Sequence, residues 1–289
     1  MHYKGANHSR IQLDDYSIRY ITMLEPSSSH LQLQQALASA GNDADEFVRT
    51  IQRLKIPHLS FSKIFTVETC ERRYVLQYIR GMQPDPIPES LLKGKAFHTM
   101  AASYYRNRDM LSNAGRLSEV ALAEYNGLNA QHLTNVAHVF LEQTWNAYEV
   151  VGVEKAFVMQ LQNGLPPLVG IIDLILKRDS CFVVVDHKTG RDFYQPDPLQ
   201  MAIYKKYLTN EITESAEAEF YYDTYRWVQS NARARKPLFQ RLQVPDEKLE
   251  WHSALQRIQA GYQRIMRLEN GYIPKSGSIC YMCPYRRFC

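Results

Sequence analysis

The stretch LVGIIDLILKRDSCFVVVDHKTG, residues 168–190, reads as two strands joined by a tight turn. Both arms, 168–177 and 181–190, are rich in β-branched residues, and the RDS between them has turn chemistry. The second arm is apolar without alternation from Phe182 to Val185, which places it inside a sheet covered on both faces. Three charged residues stand out against this background. Asp173 is a lone carboxylate among Ile171, Ile172, Leu174, Ile175 and Leu176. Asp186 and Lys188 are two apart, so strand alternation sends both to one face and His187 to the other. A buried charge is costly unless it is compensated. Either Asp186 and Lys188 form a structural salt bridge at the strand end, or Asp173 and Asp186 on neighbouring strands share a hard cation such as Mg2+ or Mn2+. Such a carboxylate-bound ion neutralises charge and activates water. A lysine beside it can orient or deprotonate that water, which suits phosphodiester hydrolysis.

Outward from this pair, VVGVEKAFVMQL (150–161) reads as a preceding strand, with NGLPP as the turn. A helix is expected over 198–208, then a strand over 217–227, central or edge. A long helix follows over 246–269, with Leu255, Ile258, Tyr262 and Ile265 on one stripe. Upstream, one helix is expected over 59–81, with Ser60 or Ser62 as N-cap and Gly81 as its stop. After a Pro-rich loop, LLKGKAFHTMAASYYR opens a second helix carrying His98, and residues 117–148 continue helical. Residues 1–56 read as an N-terminal extension, with a linker at 25–30 and helical spacing at 31–54. The order is helices, three strands, helix, strand, helix. It predicts an α/β domain over 57–289, with a mixed central sheet flanked by helices and a helical N-terminal region.

At 289 residues the chain can bury a full core, and its 45% hydrophobic and 22% charged residues are those of a globular protein. No apolar run is long enough to span a bilayer, and the N-terminus has no secretory pattern, so an intracellular, cytoplasmic setting is expected. There cysteines serve more often as metal ligands than in disulfides. A net charge of +4 permits a polyanionic partner without selecting one. No Gly-x-x-x-x-Gly-Lys-Ser/Thr loop is present, so no motor of that type is expected.

Of the five cysteines, Cys280, Cys283 and Cys289 have spacing suited to one metal centre. Pro284 follows Cys283, a frequent neighbour of iron–sulfur ligands. A fourth ligand would be Cys70 or Cys181, and Cys181, at the head of a strand, reads as a core position. Four-cysteine zinc sites often use two Cys-x2-Cys pairs, and this chain has one; zinc and unligated thiols stay open as alternatives.

Asp173 and Asp186-x-Lys188, with their apolar flanks, resemble the PD-(D/E)XK nuclease superfamily, and more narrowly its RecB-type branch. That branch carries Gly-x-x-x-His in an earlier helix, matched here by Gly94 and His98, and Gln-x-x-x-Tyr after the lysine strand, matched by Gln200 and Tyr204. The resemblance implies a restriction-endonuclease-like fold and DNA hydrolysis with Mg2+ or Mn2+ held by His98, Asp173, Asp186 and the His187 carbonyl. It also implies that Lys188 assists the water, and that Gln200 and Tyr204 position DNA. Glu154 matches a strand glutamate of the branch. The branch usually has Tyr where His187 stands. Cys70, in TCERRY, resembles the helix cysteine of RecB-type iron–sulfur nucleases, such as the AddB nuclease domain and the CRISPR-adaptation nuclease. By that resemblance Cys70, Cys280, Cys283 and Cys289 hold a 4Fe-4S cluster, closing a loop of about two hundred residues as a cross-link.

The substrate implied is single-stranded DNA or DNA ends. The setting implied is bacterial, archaeal or phage recombination and repair, with a recombination-protein partner, or CRISPR adaptation with an integrase. A non-catalytic DNA-binding scaffold is the alternative of another class, and filled catalytic positions weigh against it. Arg233, Arg235 and Lys236, with Arg72, Arg73, Arg286 and Arg287 beside the cysteines, are interleaved with aromatics in a way that suits single-stranded DNA. They equally suit a solvated face with snorkelling side chains.

Overall fold

The computed structural model describes residues 27–125, 127–161, 164–211, 217–227, 238–274, 280 and 283–289. Their centre is a five-stranded sheet in the order β1 (Glu149–Met159), β2 (Leu168–Arg178), β3 (Cys181–Gly190), β4 (Glu217–Arg226) and β5 (Phe239–Gln243). β1, β2 and β3 form an antiparallel meander. β4 runs parallel to β3, because α8 (Leu199–Glu211) carries the chain back across one face before it re-enters. β5 returns antiparallel to β4. The mixed α/β sheet flanked by helices is the architecture expected, with β3 at its middle. β5 was not anticipated: FQRLQ is short and half polar, without the apolar signal of the inner strands.

Helices cover both faces. On one side α3 (Phe61–Thr69), α8 and α9 (Trp251–Glu269) pack Ile64, Val67, Ile203 and Ile258 against Ile172 and Val184. On the other, α5 (Glu89–Arg106), α6 (Ala114–Glu124) and α7 (Ala130–Glu142) set Phe97, Leu117 and Phe140 against Leu174, Val183 and Val185. α1 (Ser28–Ala40) and α2 (Ala44–Leu54) bury Leu33, Phe47 and Ile51 against Ala156 of β1 and Val169 of β2. No helix among the described residues is long and apolar enough to cross a membrane.

Three helix expectations need correction. The helix expected over 59–81 starts as read, with Ser60 Oγ accepting from the Lys63 amide at 3.3 Å. It breaks at Cys70, whose backbone is extended (φ −161°). The Cys70 sulfur accepts from the Arg73 amide at 3.4 Å and so opens a new short helix, α4 (Glu71–Tyr74), which runs on as a π-turn over Val75–Ile79. The helical run expected over 117–148 is split, because α6 stops at Glu124 and α7 starts on the Asn129 cap. The last long helix begins at Trp251 rather than 246, after a single 3-10 turn (Asp246–Lys248), with Glu250 capping two amides. Cys181, expected in the core, is half-buried.

Candidate active site

β2 and β3 pair from Arg178↔Cys181 to Leu174↔Val185, and the ladder ends there. The next residues on each strand are Asp173 and Asp186. In place of a ladder bond, the Asp173 carboxylate accepts the His187 amide at 2.7 Å. The two strands therefore part where the two carboxylates stand. On β3 alternation holds as read. Val183 and Val185 face α5–α7, and so does His187, whose ring lies 5.8–6.3 Å from those of Phe97, Tyr105, Phe140 and Tyr225. Asp186 and Lys188 face α8.

α8 completes the cluster. Gln200 and Tyr204 are one turn apart on a single helical face. The Gln200 amide donates to Asp186 Oδ1 and to the Tyr204 hydroxyl, each at 2.7 Å, and its carbonyl accepts from Lys188 at 2.9 Å. Tyr204 donates in turn to the Ile171 carbonyl at 2.6 Å. One glutamine thus bridges the carboxylate, the lysine and the tyrosine, and the tyrosine anchors the group to β2. From the opposite face α5 brings His98, pinned by its buried neighbour Phe97, with Nδ1 3.4 Å from Asp173 Oδ2. Glu154 on β1 sits between the partners of Leu174 and Ile172, so it stands beside Asp173. Its φ of +47° is unusual for a side chain with a Cβ, and its carboxylate is held by Arg106 at 2.9 Å.

The electrostatics follow from burial. Asp186 is 2% exposed; burial raises its carboxyl above the usual range, and Lys188 offsets this only in part. Asp173 is partly buried, but His98 outweighs that desolvation and holds its carboxyl low. Burial works against charge on His98 and Lys188, yet Asp173 and Asp186 respectively outweigh it and raise both. The two carboxyls are thereby pushed apart in proton affinity. The Lys188 ammonium lies 2.5 Å from Asp186 Oδ2, an ion pair inside the site.

Among the described residues, no three His, Cys, Asp or Glu stand as a ready metal-ligand group. At the strand parting, His98 and Asp173 face each other. Even so, the Asp173 and Asp186 carboxylates and the His98 imidazole stand near one another, donor types that suit a hard divalent cation. Among the described residues, no three cysteines stand together as a metal-ligand group. Cys70 caps α4, and the Cys283 amide donates to the Cys280 carbonyl in a turn at 3.2 Å. The tail nevertheless lies beside the segment after Cys70, since buried Tyr285 donates to the Met82 carbonyl at 3.2 Å.

Of the expected basic contacts, Arg72 and Arg73 are half-buried, and Arg73 donates to Gln77 at 3.3 Å. Arg286 and Arg287 are exposed in the last 3-10 turn. Arg233, Arg235 and Lys236 lie outside the described residues. Asp197 was missed. Its carboxylate accepts the Leu199 amide at the start of α8 at 3.0 Å and is gripped from α9 by Arg257, which also grips Glu68 of α3. The available signal was an Asp between two prolines just ahead of a helix.

The profile of the PD-(D/E)XK nuclease superfamily matches residues 58–289. No curated protein matches the sequence. Among solved structures, the crystal structure of SSO0001 is similar over 66% of this chain and 84% of that chain. The identity is 15% and the TM-score 0.32, values that support no inference about this chain.

Proposed function

This chain belongs to the PD-(D/E)XK nuclease superfamily, and on that premise we propose that it is a Mg2+- or Mn2+-dependent DNA exonuclease acting on single strands or DNA ends. The observation that carries this reading is the closed set of bonds from Gln200 to Asp186, Lys188 and Tyr204, opposite Asp173 and His98. Asp173, Asp186, His98 and the His187 carbonyl would hold the divalent ion. Bound there, such an ion supplies Lewis acidity for a phosphate oxygen and lowers the pKa of water.

The remaining roles belong to this chain's own side chains. Lys188, tethered by Gln200, presents its ammonium beside Asp186, where it can orient the attacking water and offset charge that grows on the phosphate. Gln200 holds Asp186 Oδ1 from α8, and Tyr204, anchored on the Ile171 carbonyl, braces Gln200. Glu154, tied to Arg106, adds negative charge beside Asp173.

The test uses end-labelled single- and double-stranded DNA with Mn2+. Asp186→Asn and Lys188→Ala are each expected to slow cleavage by about a hundredfold or more, and chelation should abolish it. Products should shorten from one end. Wild-type rates in either folded variant would overturn the enzyme reading, and internal cuts would overturn the exonuclease.

We propose in addition that Cys70, Cys280, Cys283 and Cys289 bind a 4Fe-4S cluster. Support comes from their spacing and from the tail lying beside the segment that follows Cys70. The protein purified without oxygen should be brown and contain about four iron atoms per chain. A colourless protein containing zinc would refute the cluster.

A further inference from the structure

Gln200 and Tyr204, which meet Asp186 from α8, also form one wall of a cavity of about 330 Å3. The opposite walls come from α2 and from the start of α3, with Phe47, Phe61 and Lys63, and from Tyr78. A site of this size is at the small end for a ligand pocket, roughly 300–1,000 Å3. We propose that it is a subsite for the terminal nucleotide of a DNA strand, the base against the aromatic wall and a phosphate on Lys63. The inference rests on the nuclease reading and specifies where the end of the substrate sits.

Four observations carry it. First, the cavity adjoins the proposed chemistry through shared residues, because Gln200 touches Asp186 and Lys188 while lining it. Second, among the described residues no carboxylate lines it, and Lys63 is its one lysine or arginine. That ammonium donates to the His58 carbonyl at 3.0 Å. Burial pushes the Lys63 amine down to about 8, with Glu269 offsetting this only in part, and a further anion beside it would favour the charged form. Third, the half-buried Phe61 and Tyr78 offer rings to a base, a sequence-tolerant contact worth ~1–3 kcal/mol per base. Fourth, a separate groove of about 1090 Å3, lined by Phe193, Tyr194 and Tyr222, reaches the site through Tyr222, whose ring lies 5.6 Å from the Lys188 ammonium.

The test is photo-crosslinking of the full-length protein in EDTA, where no cleavage occurs. The probes are single-stranded oligonucleotides carrying 4-thiothymidine at the 5′ end, at the 3′ end, or four nucleotides inside. One terminal probe is expected to label peptides from residues 44–54 or 61–78. Lys63→Met should weaken binding of that probe about tenfold, and Lys63→Arg should restore it. The subsite is overturned if the terminal probes label other peptides or none, or if the internal probe labels these equally. It is also overturned if a folded Lys63→Met protein binds as the wild type does, or if Lys63→Arg fails to restore binding. Cleavage is scored separately. An active protein that fails the crosslink loses only the subsite, and an inactive protein that passes loses only the nuclease reading.

Discussion

His187 is buried at 2% exposure among four aromatic rings, and neither of its ring nitrogens has a hydrogen-bond partner. Burial accordingly pushes its imidazole down to about 4, keeping it neutral. Its main chain reaches the site through the amide bound to Asp173. Two unsatisfied polar atoms in an apolar cage cost free energy that a phenyl ring would not. His187→Phe is therefore expected to raise stability by about 1–2 kcal/mol, read as a higher denaturation midpoint with unchanged slope. A lower midpoint would show that the cage needs the imidazole. The residue was legible in the sequence as pointing away from Asp186, since alternation requires it. Its unsatisfied state was not, because the cage is assembled from α5, α7 and β4, which lie far from it in sequence.

At the scale of elements, the site depends on how closely β1, β2 and α8 approach. Gly170 pairs with Phe157 across β1 and β2, and a Cβ there would meet the Phe157 ring at 2.4 Å. The ring cannot yield easily, because it is 1% exposed and stacks on Tyr207 of α8 at 4.2 Å. Gly170→Ala should cost about 1–3 kcal/mol by overpacking, and adding Phe157→Leu should recover part of it. Equal stability of Gly170→Ala and wild type, measured by chemical denaturation, would contradict this packing. The strands of this element group could be read from their β-branched runs. The break at Cys70 could not: residues 59–81 keep helical spacing throughout, and what interrupts them is a sulfur accepting an amide.

At the scale of the whole molecule, Arg257 of α9 joins parts that are distant in sequence. It binds Glu68 of α3 at 2.6–2.8 Å and Asp197, at the entry to α8, at 2.5–2.7 Å. Asp197 also accepts the Tyr222 hydroxyl on its carbonyl at 2.7 Å, which adds β4. Burial alone would raise the Asp197 carboxyl, but Arg257 and the Leu199 amide more than offset it and hold the carboxyl low. A carboxyl lowered in the native state contributes stability above its unfolded pKa, about 3.9, and loses it as pH falls through the native value. Arg257→Met should therefore melt lower than wild type at neutral pH. The difference between the two should shrink steadily below about pH 4. A gap that stays constant down to pH 2 would rule out this ion pair as its source.

Local pattern alone was enough to read the superfamily, the succession of β1 to β4 along the chain and the charged residues among them. It could do so because strand alternation and helical spacing are local rules, and because a charge in an apolar run is visible wherever it falls. The parting of β2 and β3 at Asp173 and Asp186, the Gln200 bridge to Asp186 and Lys188, and the cavity that α2 walls against Gln200 and Tyr204 emerge only once the chain is folded. These features depend on contacts between segments separated by tens to hundreds of residues. Their energies come from the packing of whole faces, which no local pattern records.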